Sequence, residues 1–143
     1  MHQLQVKIIT PGGLIYSGLA KMVVAPASEG TVGILPHHAP LFTRLEAGEI
    51  KIKTEDKETL FAITGGFMDV NPEGTVTILT DSAQRSEEID EKAAAAARER
   101  AEKLLADREK LSERDFALAE ASLRKALLEL KVAKKRKVKN SPA

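Results

Sequence analysis

Cysteine and tryptophan are absent from this 143-residue chain, and aromatic residues make up only 3% of it. Without thiols there is no disulfide, no thiolate metal site and no cysteine nucleophile, and a reducing compartment is compatible with the chain. So few rings leave no evident stacking platform for single-stranded nucleic acid. No apolar run approaches the roughly 20 residues of a membrane-spanning helix. The opening Met1-His2-Gln3-Leu4-Gln5-Val6-Lys7 has neither the apolar stretch of a secretory signal nor the arginines of a transit peptide. The expectation is a cytoplasmic protein. What is present suits a soluble globular fold rather than disorder, at 43% hydrophobic and 30% charged residues.

Helix and strand breakers are missing from the second half. All nine glycines lie at or before Gly74 and five of the six prolines at or before Pro72, and neither type returns until Pro142. That shift predicts a turn-rich β region followed by continuous helix. In the first half, Leu4-Gln5-Val6-Lys7-Ile8 alternates and stops at Thr10-Pro11-Gly12-Gly13. Segments at 14–16, 22–25, 31–34, 41–43, 50–53, 59–63, 67–70 and 76–79 follow, with turn residues between them. Short strands so spaced predict a β-sandwich or flattened barrel of about ten strands. In the second half, a helix is expected to begin at Asp81-Ser82 or Ser86, where Glu87, Glu88, Asp90 and Glu91 suit a helix N-terminus. Ile89, Ala93, Ala96, Ala97, Ala101, Leu104 and Leu105 form its apolar stripe. Ser112 and Asp115 make a capping pattern for a second helix, with Phe116, Ala119, Leu123, Ala126, Leu127 and Leu130 on one face. Two helices of similar length joined by a short link predict an antiparallel hairpin. Its small-residue stripes bury modest area, so it is marginally stable off its support and is expected to move. The expected fold is therefore β plus α, divided into residues 1–84, 85–139 and a disordered tail at 140–143.

The net charge of +1 conceals an asymmetry. Residues 1–84 carry 6 Lys/Arg and 9 Asp/Glu, net −3, and residues 85–143 carry 16 and 12, net +4. Lys131, Lys134, Lys135, Arg136, Lys137 and Lys139 supply the excess. A basic end of this kind suits nucleic acid, anionic lipid or an acidic protein surface, or simply complements the helix dipole.

The stretch from Glu29 to Leu41 packs two glycines, two prolines and His37-His38 between apolar segments, which reads as a functional loop on a β scaffold. Adjacent histidines in extended chain point to opposite faces and no further ligands converge with them, so no metal site is expected. Gly65-Gly66 reads as a bulge or tight corner rather than a phosphate cradle, since no P-loop or dinucleotide pattern surrounds it. No nucleophile, base and orienting group occur together, so no catalysis by the chain alone is expected. One reading from composition is a β-sandwich adaptor whose helical arm and basic tail bind nucleic acid or an acidic protein.

Ser28-Glu29-Gly30-x-x-Gly33-Ile34-Leu35-Pro36-x-His38-Ala39-Pro40-Leu41 closely resembles the epsilon subunits of F-type ATP synthases, bacterial type. The likeness continues in order through Ile9-Thr10-Pro11-Gly12-Gly13 with Tyr16-Ser17-Gly18, Gly65-Gly66-Phe67, Leu79-Thr80-Asp81-Ser82-Ala83 and Glu88-Ile89-Asp90. It implies a non-catalytic rotor subunit of the central stalk, on the cytoplasmic face of the bacterial inner membrane, that couples proton-driven c-ring rotation to ATP synthesis. It implies Glu29, Gly30 and Thr31 at the c-ring and His38 near the gamma subunit, a position preceded in that family by Gly or Asn where this chain has His37. It also implies that the hairpin extends into the catalytic head and stops ATP hydrolysis. Arg108, Lys110, Arg114, Arg124, Lys125, Lys134, Lys135 and Arg136 are the candidates to meet acidic loops of the beta subunits, in a salt-sensitive contact. Some members bind ATP through Ile/Leu-Asp-x-x-Arg-Ala. Here Ile89, Asp90 and Ala94 match, but Ala93 and Glu129 stand where those members carry arginine. ATP binding is therefore expected to be weak or absent, and no cofactor is expected.

Overall fold

Leu4, Val6 and Ile8 alternate with Gln5 and Lys7, and this period of two makes β1 (Leu4–Thr10) a strand with one fully buried face. The computed structural model describes residues 2–140, with side chains through Lys135. Nine more strands follow: β2 (Gly13–Ala20), β3 (Met22–Ala27), β4 (Gly30–Ile34), β5 (Leu41–Leu45), β6 (Gly48–Lys53), β7 (Glu58–Ile63), β8 (Gly66–Val70), β9 (Thr75–Leu79) and β10 (Ala83–Arg85). They form one sheet in the order β10-β7-β6-β3-β5-β8-β9-β1-β2, with β4 paired to β3. All pairings are antiparallel except β1 with β9, which run parallel from Gln5↔Thr75 to Ile9↔Leu79.

The sheet folds over because one edge of β3 is shared between β6 and β5, while β4 takes the other edge. Met22–Val24 pair with β6, whereas Ala27 pairs with Leu45 of β5. Its inward residues make one core, in which Phe61, Ile8, Ile50, Ile52, Ile63, Met68 and Ile78 are among the largest fully buried side chains. The sandwich read from the spacing of short strands is thus the fold observed.

β10 is the strand that the hydrophobic pattern does not disclose. Ala83-Gln84-Arg85 has no apolar alternation, and its strand character comes from its partner, through Ala83↔Ile63, Gln84↔Ala62 and Arg85↔Phe61. The helix expected from Asp81-Ser82 or Ser86 accordingly starts later. A 3-10 turn at Ser86–Glu88 precedes α1 (Glu91–Ala106). The chain divides into two units at Arg85/Ser86.

The second unit is the pair of helices. Asp90 caps α1 by accepting from the backbone N–H groups of Lys92 and Ala93 at 3.0 and 3.1 Å, which satisfies donors the first turn cannot pair internally. Ser112 does the same for α2 (Glu113–Asn140), accepting from the Asp115 N–H at 3.1 Å. The interface is built on alanine at seven-residue spacing: Ala94 and Ala101 on α1, and Ala119, Ala126 and Ala133 on α2, all buried. Such small side chains allow the helix axes to approach closely.

Two expectations for this unit are corrected. Ala93 and Ala96 are exposed and Ala94 is the buried residue, because the true stripe follows the seven-residue spacing. Nor are the helices of similar length: α1 has 16 residues and α2 has 28. With no breaker before Pro142, α2 continues to Asn140, its excess amounting to about 18 Å of helix at 1.5 Å per residue. Residues 141–143 of the expected disordered tail lie outside the described residues.

Candidate functional site

Glu29 sits in the two-residue turn Ser28–Glu29 that joins β3 to β4, between the paired residues Ala27 and Gly30. Gly30 has φ +127°, a conformation that residues with a Cβ rarely adopt. Glu29, Gly30 and Thr31 are all exposed at this tip. His38 lies past the other end of β4, in the loop that leads to β5. The five residues of β4 separate the two places by roughly 13 Å of strand, so they lie apart rather than in one cluster.

The loop is folded locally. The His38 N–H donates to the Leu35 carbonyl at 3.1 Å, and its Nδ1 donates to the Ala39 carbonyl at 2.6 Å. His37 is the only described non-glycine residue with positive φ, at +68°. A side chain with a Cβ costs about 1–2 kcal/mol in this left-handed region, where only Gly and, more weakly, Asn or Asp are at ease. Its ring meets that of His2 edge-on, with centroids 4.2 Å apart. His37→Asn is expected to stabilise the chain by roughly 0.5–1 kcal/mol, since Asn tolerates this region without glycine's extra freedom. A urea midpoint that falls instead would show that the His2 contact outweighs the backbone strain.

The register brings together a surface that the sequence reading missed. Phe67 of β8 lies opposite Leu79 of β9, Leu79 lies beside Ile9 of β1, and Ile9 pairs with Leu14 of β2. Phe42 of β5 is diagonal to Phe67, and the two rings stack with centroids 5.7 Å apart and planes 16° apart. The side chains of this row point away from the core. Phe42 is 67% exposed, Leu14 59%, and Phe67 and Leu79 46% each. A groove of 390 Å³ runs along its edge, between Thr10, Pro11, Gly66 and Thr80. One signal was available: in Phe67-Met68-Asp69-Val70 and Val76-Thr77-Ile78-Leu79, an apolar residue occupies the outward phase of the alternation.

In the helical unit, the residues that match the ATP motif have structural work of their own. Ile89 is buried, Ala94 lies in the alanine interface, and the Asp90 carboxylate is the cap of α1. The basic candidates divide into two groups. Arg108 lies over the Phe116 ring at 4.4 Å and Lys110 pairs with Asp107 at 3.6 Å, so both are engaged at the corner between the helices. Arg114, Arg124, Lys125, Lys134 and Lys135 are exposed along α2. At 3.6 residues per turn, Arg114, Arg124, Lys125 and Lys135 fall within about 100° of one another over roughly 30 Å of helix, opposite the alanine stripe. Lys134 lies off this flank, and the Arg136 side chain is outside the described residues. Among the described residues no three His, Cys, Asp or Glu side chains are grouped to hold a metal, and no helix is long and apolar enough to cross a membrane.

Both units match domains of one known family, the first over nearly its whole length and the second over most of it. The ATP synthase delta/epsilon chain β-sandwich domain matches residues 3–86, and the long α-helix domain of the same chain matches residues 87–134. The chain belongs to the ATP synthase delta/epsilon chain family. It is 45% identical over 137 residues to the ATP synthase epsilon chain of Dehalococcoides mccartyi, a match covering 96% of each chain. It is 46% identical over 134 residues to that of Herpetosiphon aurantiacus, covering 94% of this chain and 96% of the relative. Among solved structures, it is similar to a chain of the Euglena gracilis mitochondrial ATP synthase, in an OSCP/F1/c-ring assembly. The TM-score is 0.74 at 25% identity, over 96% of this chain and 82% of that one. A chain of the Tetrahymena thermophila mitochondrial ATP synthase central stalk and c-ring shares the fold, with TM-score 0.58 at 17% identity over 91% and 96%. The family read from the Glu29–Leu41 block is the family found, and nothing in these likenesses supports the nucleic-acid adaptor.

Proposed function

We propose that this chain is a non-catalytic central-stalk subunit of an F-type ATP synthase, part of the rotor that couples proton-driven c-ring rotation to ATP synthesis. The observation that carries this reading is that the likeness to ATP synthase epsilon chains runs through both units, at 45% identity over 96% of the chain. The β unit is the dock. Its stacked Phe42–Phe67 row, with His38, suits the gamma subunit, because an exposed aromatic row gains most by being covered. The turn Glu29-Gly30-Thr31, separate from that row, is the c-ring contact.

The helical unit is the brake on ATP hydrolysis. The basic flank of α2, from Arg114 to Lys135, suits the acidic loops of the beta subunits, and Arg136 lies in the same stretch of sequence. Arg108 and Lys110, engaged at the corner, contribute less. Because both surfaces carry exposed charge, inhibition weakens as salt shortens the screening length, which is about 10 Å at 0.1 M. ATP does not bind specifically: the three matching motif residues are spent on capping and packing, and Ala93 and Glu129 provide no cation for the phosphates. The chain acts peripherally, at the cytoplasmic face of the bacterial inner membrane, through the complex.

The test adds the full chain, and separately a version ending after Arg85 so that β10 is kept, to a catalytic head that contains gamma and lacks its own epsilon. Both versions are expected to co-purify with the head, and only the full chain to slow ATP hydrolysis. Equal hydrolysis rates would remove the brake and leave the coupling role. Failure of both to bind a compatible gamma would overturn the reading.

A further inference from the structure

The sheet does not close on itself through hydrogen bonds. Its order begins at β10 and ends at β2, and among the described residues no ladder joins the two ends. Side chains bridge the gap instead. Tyr16 of β2 meets Phe61 of β7 edge-on, with ring centroids 5.6 Å apart and an interplanar angle of 74°. Arg85, the last residue of β10 and the cross-strand partner of Phe61, places its guanidinium 5.5 Å from the Phe61 centroid and 5.9 Å from that of Tyr16. One cation therefore faces two rings that belong to opposite ends of the sheet. The Tyr16 ring is itself held, since its hydroxyl lies so close to Gly18 that a Cβ there would sit 3.0 Å away.

We propose that Arg85 is a latch that holds β10 in the sheet and so sets where the connection to the helical unit begins. β10 has only three residues, and the boundary between the two units follows directly at Arg85/Ser86. A strand that short has little of its own to keep it in place. With the guanidinium over both rings, the connection starts at Ser86. When the latch opens, residues 83–85 join the connection and lengthen it by about 10 Å at 3.3 Å per residue. The two states differ in the three cross-strand pairs of β10 with β7 at one end of the sheet, so the exchange is local and leaves the other ladders intact.

Hydrogen exchange on the full-length chain tests this, with Arg85→Ala and Arg85→Lys beside the unsubstituted protein. Arg85→Ala is expected to speed exchange at residues 83–85 about fivefold, the effect of removing a partly exposed cation from two rings. Exchange in β1, β8 and β9 stays unchanged. Arg85→Lys falls between, because an ammonium keeps the charge and loses the planar stacking. Tyr16 is the only Tyr in a chain without Trp, so the near-ultraviolet circular dichroism of its ring reports on the same contact, and it weakens in the Ala variant. Unchanged exchange at 83–85 would overturn the latch. So would acceleration spread evenly over the whole β unit, or a Lys variant no slower than Ala.

Discussion

Gly66→Ala is expected to remove about 4 kcal/mol or more of stability, a loss that few single substitutions reach. Gly66 opens β8 with φ +143°, which already disfavours any side chain. A Cβ there would lie 2.0 Å from the Leu79 carbonyl oxygen and 3.0 Å from both the Leu79 carbonyl carbon and the Thr80 Cα. All three atoms are backbone, so no rotamer change relieves the clash. β9 would have to move away from β8, and β9 is also the strand on which β1 pairs. The substitution therefore strikes two ladders at once. For a domain of this size, such a loss lowers the melting temperature by roughly 20 °C. A thermal melt of the variant within a few degrees of the unsubstituted protein would show that the strands can separate there at little cost.

The double substitution Phe42→Ser with Phe67→Ser is expected to leave the fold intact and to weaken binding to a gamma-containing head by about 100-fold or more. Phe42 is mostly exposed and Phe67 about half exposed, and neither belongs to the core, so little burial is lost from it. In a complex, two stacked aromatics at the centre of an interface are the residues that carry binding, at roughly 2 kcal/mol or more each when truncated. A titration of the head with the variant and the unsubstituted chain measures the change, and the thermal melt of the variant serves as its folding control. An affinity within threefold of the original would remove this face from the dock and leave His38 and its loop as the contact.

The legible parts of the fold were those whose signals are local. Leu4-Gln5-Val6-Lys7-Ile8 announces a strand by alternation alone, and the runs at 50–53 and 59–63 do so between clear turn residues. Ser112 and Asp115 mark the start of α2 because capping needs nothing beyond one turn. What stayed hidden depends on partners far along the chain. Ala83-Gln84-Arg85 becomes a strand only because β7 offers it an edge. Ala94 is buried in place of Ala93, while Ala101 lies where its spacing put it, because the packing of α2 decides which of five successive alanines is buried. At the candidate site, the Glu29 turn and the His38 loop were marked by their glycines and prolines. The Phe42–Phe67 row emerges only once β5, β8 and β9 are in register, since the two residues are 25 apart in sequence. His37 belongs with the hidden features too, for nothing in its neighbours announces a left-handed backbone.

The parallel pairing of β1 with β9 carries a consequence for synthesis. Gln5 meets Thr75, a partner 70 residues further on, and no nearer strand except β2 is available to it. At translation rates of about 5–20 residues per second, the 59 residues from Ala20 to Leu79 leave the β1–β2 ribbon waiting roughly 3–12 s before β9 exists to receive it. Throughout that interval the face of Leu4, Val6 and Ile8 has no core to enter. The nascent chain thus emerges with β1 long before its parallel partner, and the β1–β9 ladder can form only when synthesis has passed Leu79.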